Sequence, residues 1–157
     1  MDAQSEKLLA QIIRRSRTAA LGTLRDEAPL VSMVTFIVEE DFSLFYLFVS
    51  RLGQHTVDMQ KDKRVGFLIT ETDDGRADPQ TLARVSLRAS AELIPNGQPG
   101  YTPLKERYLG RYPESEPLFK LADFNFWRIK PKGGRYVAGF AKAYNITAET
   151  LQKVSER

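Results

Sequence analysis

Residues Leu44–Val49 form an unbroken run of six apolar side chains, LFYLFV. A run this short, rich in aromatic and β-branched types, reads as a strand buried on both faces. Such a strand has no polar side to offer water, so whatever fold contains it must cover both of its surfaces. Ser50 and Arg51 follow, Gly53 breaks the strand, and Gln54-His55-Thr56 stand where a short helix begins. Asp62-Lys63-Arg64 then turn the chain into the next apolar run.

A helix start presents unpaired backbone N–H groups and the positive end of the helix dipole. Ser50, Arg51, Gln54, His55 and Thr56 add side-chain donors at the same place, a combination suited to a phosphate. Local chemistry by itself favours a plain strand–turn–helix connection. No glycine-rich loop of the Walker or dinucleotide type is present.

Composition narrows the chemistry. The 157 residues suit one domain spanning 1–157 with a single core. The chain has no cysteine, which removes disulfides, thiolate metal sites, iron–sulfur clusters and cysteine nucleophiles. His55 is the only histidine, so histidine-rich metal sites within one subunit are excluded and no metal ligand set is assigned. A serine-type triad would have to use His55, and no nucleophile elbow lies near it. The net charge of +3 is spread along the chain, which argues against a nucleic-acid partner. No apolar stretch reaches bilayer length and no signal-peptide core is seen, so a cytoplasmic protein with no membrane partner is expected.

Taken in order, Ala3–Arg17 has the spacing of an amphipathic helix, with Leu8, Leu9, Ile12 and Ile13 on one face. Thr18–Leu24 and Leu30–Val38 read as strands around the turn Arg25–Pro29, and Glu39–Asp41 as a hairpin tip. Val65–Thr70 is a further strand, and Leu82–Ile94 alternates so that the odd-numbered residues face a core. Arg84 and Arg88 then share the opposite face, either as a solvated surface or as an interface or anion contact. Thr102-Pro103 opens a helix running to about Arg111. Asn125–Ile129 and Arg135–Phe140 are expected to be a closing strand pair joined by the turn Pro131–Gly134, and Thr147 to cap a last helix, Ala148–Ser155. Short turns between strands, with helices set aside, argue for a closed antiparallel barrel with flanking helices. The outer side of Leu44–Val49 would be covered most economically by a second subunit.

Seven segments occur in a telling order: Ala19–Leu24 (AALGTL), Pro29–Val34 (PLVSMV), Ser50–Thr56 (SRLGQHT), Asp62–Val65 (DKRV), Asp78-Pro79 with Arg84–Leu87 (RVSL), Asp123-Phe124, and Ala138–Ala143 (AGFAKA). Together they resemble the FMN-binding split-barrel family related to pyridoxamine 5′-phosphate oxidase, and most of all its haem-utilisation branch. The resemblance covers about Arg17 to Ala143. It implies a mainly β (α+β) fold, a six-stranded antiparallel split β-barrel with flanking helices. It also implies a homodimer with FMN at the interface, touched by both subunits.

Carried over by position, Ser32, Met33 and Val34 would line the flavin. Val49, Ser50, Arg51, Gln54, His55 and Thr56 would surround the phosphate. Arg84 would contact it nearby or from the partner subunit, and Trp127 and Phe140 would cover the rings. The implied activity is that of an FMN-dependent oxidoreductase, with a non-enzymatic flavin- or haem-binding module as the alternative. No catalytic acid or base is assigned.

Two departures matter. Where the vitamin B6 oxidases carry Ser-Arg-Lys, this chain has Gly53, Gln54 and His55, so fewer fixed cations face a phosphate of about −1.5 to −2 charges. Their Arg-x-His substrate element has no counterpart in a chain with a single histidine, so oxidation of pyridoxamine phosphate is not expected.

Overall fold

The computed structural model describes residues 1–157. The elements, in order, are α1 (Ala3–Arg15), β1 (Thr18–Arg25), β2 (Ala28–Thr35), β3 (Ile37–Val38), β4 (Phe45–Ser50), α2 (Gln54–Lys61), β5 (Arg64–Thr70), β6 (Arg84–Ile94), α3 (Tyr101–Arg111), β7 (Phe124–Gly139), β8 (Lys142–Thr147) and α4 (Ala148–Ser155). A 3₁₀ turn at Pro79–Thr81 and a 3₁₀ segment at Pro113–Lys120 complete the chain. No helix is long and apolar enough to cross a membrane.

Local chemistry sets the helix ends. Asp2 caps α1, its carboxylate accepting from Ser5 N at 2.8 Å, and Leu9, Ile12 and Ile13 turn to the core. Thr147 and Thr150 form a reciprocal capping box at the start of α4.

All strand pairs are antiparallel, in the order β2-β1-β5-β6-β7-β4-β3, with β8 added to β7. The six long strands of the expected barrel are therefore present, with the two-residue β3 and the added β8 beyond them. The chain does not meander from strand to neighbour. β4 pairs with β7, and α2 carries the chain from β4 to β5, which lies beside β1.

The expected closing hairpin is corrected. Phe124–Gly139 is one strand of sixteen residues, and its true hairpin partner is β8. Pro131–Gly134 forms a register shift opposite Arg88/Ala89 rather than a turn. The glycines serve close strand contact. A Cβ on Gly134 would stand 2.0 Å from Ser86 O, and one on Gly133 2.7 Å from Ile146 O. The hairpin reversal comes instead at Phe140-Ala141, where Ala141 takes φ +59.

β4 is buried on both sides, by two separate cores. Phe45, Leu47 and Val49 join the 27-residue interior of the barrel, while Tyr46 and Phe48 join an outer cluster of 8 with Leu104, Tyr108, Tyr112 and Phe126. Phe48 stacks on Phe119 at 3.9 Å between centroids. The outer face of β4 is thus covered by α3 and the 3₁₀ segment of the same chain, and the second subunit invoked from sequence is not needed there. β2 carries an uncovered apolar surface, with Val31 68% and Met33 76% exposed, while Leu52 and Phe140 stand exposed on other segments.

Candidate functional site

The strand-to-helix turn after β4 gathers Ser50, Arg51, Gln54, His55 and Thr56, as the sequence predicts, but the two hydroxyls, Ser50 and Thr56, are engaged within the chain. Thr56, buried, donates from Oγ1 to Ser50 O at 2.7 Å. Ser50 Oγ donates to Asp123 Oδ2 at 2.5 Å and accepts from Leu52 N at 3.1 Å. Arg51 N donates to Asp123 O at 2.7 Å, while the Arg51 and Gln54 side chains are exposed. No side chain caps α2.

His55 leans over Gly53. A Cβ at residue 53 would meet its Cε1 and Nε2 at 3.0 Å, so only glycine fits beneath the ring without displacing it. Nε2 is enclosed and has no hydrogen-bond partner. Burial lowers the His55 pKa below its ordinary value, and the charge of Asp58 opposes that shift only partly. The imidazole is therefore neutral at pH 7. The corner holds one exposed cation, Arg51, and one carboxylate, Asp123. That balance suits a phosphate dianion poorly. In the sequence Asp123 stands only as part of the Asp123-Phe124 motif, and its hydrogen bond with Ser50 joins the residue before β7 to the end of β4, a pairing no local spacing reveals.

Beneath α2 lies a buried ionic group that sequence reasoning missed. Asp58, fully buried, accepts from Thr23 Oγ1 at 2.9 Å and from Arg25 Nε at 2.9 Å. It ties α2 to β1 and is a structural contact. Asp58 sits one helical turn after His55, but its partners are 33 and 35 residues away.

The other candidates scatter. The side chains of Val34, Val49 and Trp127 belong to the interior core and leave no side-chain surface for a ligand. Trp127 Nε1 is buried without a partner. Ser32 is half-buried opposite Leu21 and shares its inward face. Met33 faces outward. Phe140, 85% exposed, stands at the β7–β8 tip.

Arg84 donates from Nη1 to Gln80 O at 2.9 Å and Leu82 O at 3.0 Å. It pairs with Val137, whereas Ser50 pairs with Phe124 at the other end of β7. About 40 Å of strand contour separates those ends. Arg84 and Phe140 therefore do not join the Ser50 corner within one chain.

The outer face of β1, β2 and β5 forms a different kind of surface. Register places Met33 beside Ala20 and Leu68, and Val31 beside Gly22 and Gly66. Facing residues in antiparallel strands share a side of the sheet. The two glycines flatten the middle of this strip, and the exposed apolar side chains of β2 border it.

An antiparallel split barrel with flanking helices is the architecture that defines the class of protein here. The chain belongs to the pyridoxamine 5′-phosphate oxidase family, whose sequence profile matches residues 5–138. It is similar to the non-canonical heme oxygenase HOZ, chloroplastic, of Arabidopsis thaliana, at 33% identity over 74% of this chain and 34% of that protein. It is also similar to the heme oxygenase HutZ of Vibrio cholerae, at 20% identity over 96% of this chain and 86% of HutZ. Among solved structures, the heme binding protein from Mycobacterium smegmatis superposes with a TM-score of 0.83 at 21% identity, covering 98% of this chain and 62% of that one. The chain thus spans about a third of its plant relative.

Proposed function

We propose that the protein is a homodimeric haem-binding member of this family, holding the planar ligand against the β1–β2–β5 strip. The observation that carries this reading is the exposure of Val31 and Met33 beside Ala20, Gly22, Gly66 and Leu68. A flat apolar surface suits a macrocycle face, and a second copy of the chain laid on it would bury what remains. The haem-related names of the relatives support the same ligand. The strip fits the ring rather than the iron. His55 Nε2 is enclosed against Gly53, so no axial ligation is assigned to it. The names of the heme oxygenases support an oxidative activity, and no residue of this chain is given a catalytic role in it.

FMN is the second reading, that of a flavin-dependent oxidoreductase. Family membership and the Ser50–Thr56 turn support it, and the Asp123 carboxylate counts against it. Hemin titration with absorbance detection separates the two. Saturable binding near one hemin per chain, lost in Val31→Asp/Met33→Asp, supports the haem reading. No saturable spectrum with hemin, together with quenching of added FMN fluorescence, overturns it in favour of flavin.

A further inference from the structure

On the outer face of the barrel, β6, the irregular part of β7 and β8 enclose an open trough of about 770 Å³, lined by Ser86, Arg88, Lys132, Gly133–Arg135, Asn145 and Ile146. We propose that this trough is a binding site for a compact phosphate-bearing polyanion, bordering the strip that carries the functional reading above, since Arg88 pairs with Gly66 and Ser86 with Leu68.

The first argument is charge. Arg88, Lys132 and Arg135 converge on one cavity with no carboxylate in its lining. None of the three makes an ion pair. Several other cations of the chain are neutralised locally, as in Arg25–Asp58, Arg64–Asp62, Arg76–Asp74, Arg107–Glu39, Lys142–Asp2 and Arg157–Glu6. Three uncompensated cations held together repel one another, and a polyanion relieves that repulsion.

The second argument is construction. Arg135 Nη1 donates to Asn145 Oδ1 at 2.8 Å, which orients the guanidinium while leaving its other N–H groups free. Lys132 stands at the register shift: Gly133 pairs with Arg88 and Pro131 with Ala89, leaving Lys132 without a ladder partner. The Gly133-Gly134 pair lets β7 lie close against the backbone of β6 and β8 between the three cations. Ser86 adds a hydroxyl donor.

The third argument is what the trough lacks. Ile146 is its one apolar lining residue, so a flat ring finds nothing to stack on. Recognition there rests on charge and on fork-shaped donors, which suit phosphate oxygens. Along the row Val31, Gly22, Gly66, Arg88, the cationic residue stands directly beside Gly66, about 5 Å away, and three strands from the exposed Val31, about 14 Å away.

Calorimetric titration of the full chain with inorganic pyrophosphate tests the site. The expected result is saturable binding near one per chain, weakened at least tenfold in Arg88→Gln/Lys132→Gln and in Lys132→Gln alone to a lesser degree. Binding should persist in Arg88→Lys and in the charge control Lys7→Gln/Lys120→Gln. Absence of saturable heat, or equal affinity in the double variant and the charge control, overturns the proposal. Citrate binding as tight as pyrophosphate overturns the phosphate assignment. Hemin titration of the same variants keeps the two readings apart: pyrophosphate binding lost with hemin binding retained supports a polyanion site of its own, and pyrophosphate and hemin binding lost together overturns it in favour of a charged margin of the hemin site.

Discussion

Ser50 Oγ and Asp123 Oδ2 lie 2.5 Å apart, joining the last residue of β4 to the residue just before β7. The hydroxyl that would greet a phosphate is thereby given to a carboxylate. Asp123→Asn removes the negative charge while keeping the shape. If flavin enters this corner at all, that substitution should tighten FMN binding several-fold, read by fluorescence quenching. Ser50→Ala should cost roughly 1 kcal/mol of stability by urea denaturation, the usual worth of one hydrogen bond. Weaker FMN binding in Asp123→Asn would show that the carboxylate is part of a ligand site.

The Asp58 group predicts a stability difference. Arg25→Ala leaves a fully buried carboxylate with only Thr23 as partner. Breaking a buried pair costs about 3–5 kcal/mol, and partial exposure of Arg25 reduces that to roughly 2 kcal/mol. The double variant Arg25→Met/Asp58→Leu, which removes both charges, should recover most of the loss. Urea midpoints for the two variants check this.

His55 gives the pH dependence its sign. Its pKa in the folded chain is lowered from the ordinary 6.5, so the unfolded chain binds the proton more readily. Its contribution to stability is complete above pH 6.5 and is lost as pH falls from there toward the lowered value. Thermal melts between pH 8 and pH 5 should show a decline that is smaller in His55→Gln. Parallel curves for the two proteins would contradict the assigned neutral state.

Two glycines, Gly22 on β1 and Gly134 on β7, should respond to alanine to very different degrees. A Cβ on Gly22 would meet Gly66 O at 3.7 Å, ordinary contact, so Gly22→Ala should change stability by less than about 1 kcal/mol. A Cβ on Gly134 would stand 2.0 Å from Ser86 O, backbone that cannot swing aside, so Gly134→Ala should cost more than about 3 kcal/mol or prevent folding. Circular dichroism melts distinguish the two.

The proposed dimer rests on exposed β2. Val31→Asp/Met33→Asp should leave secondary structure intact and shift the protein to a monomer in analytical ultracentrifugation. Both side chains face solvent in the single chain, so the cost to its folding should be small. A dimer that survives both substitutions would move the interface to another face.

Much of the architecture was legible because it is periodic or punctuated. The alternation of Val85, Leu87, Ala89 and Ala91, the apolar run Leu44–Val49, the cap at Thr147 and the break at Gly53 are all local signals. The reading failed where one residue type serves two purposes. Gly133-Gly134 looks like a turn in sequence and is a close approach in space, because glycine answers equally to backbone freedom and to missing bulk. The candidate site was legible as a cluster at Ser50–Thr56, since those residues are neighbours in the chain. What each donor is bonded to was not, since Asp123 and Thr23 arrive from distant strands.

By itself, then, the order of residues determined that β4 must be covered on both faces, that cysteine and multi-histidine chemistry is closed to this chain, and that a strand gives way to a helix at Gly53. These follow from composition and from the transfer of apolar surface out of water, which do not depend on which partner supplies the contact. Tertiary structure alone decided that α3 rather than a second subunit covers Tyr46 and Phe48, that the hydroxyls of Ser50 and Thr56 are used internally, and that Arg88, Lys132 and Arg135 meet in one trough. Each of those outcomes turns on pairing between strands far apart in sequence, and the energy of such a contact exists only once the register is set.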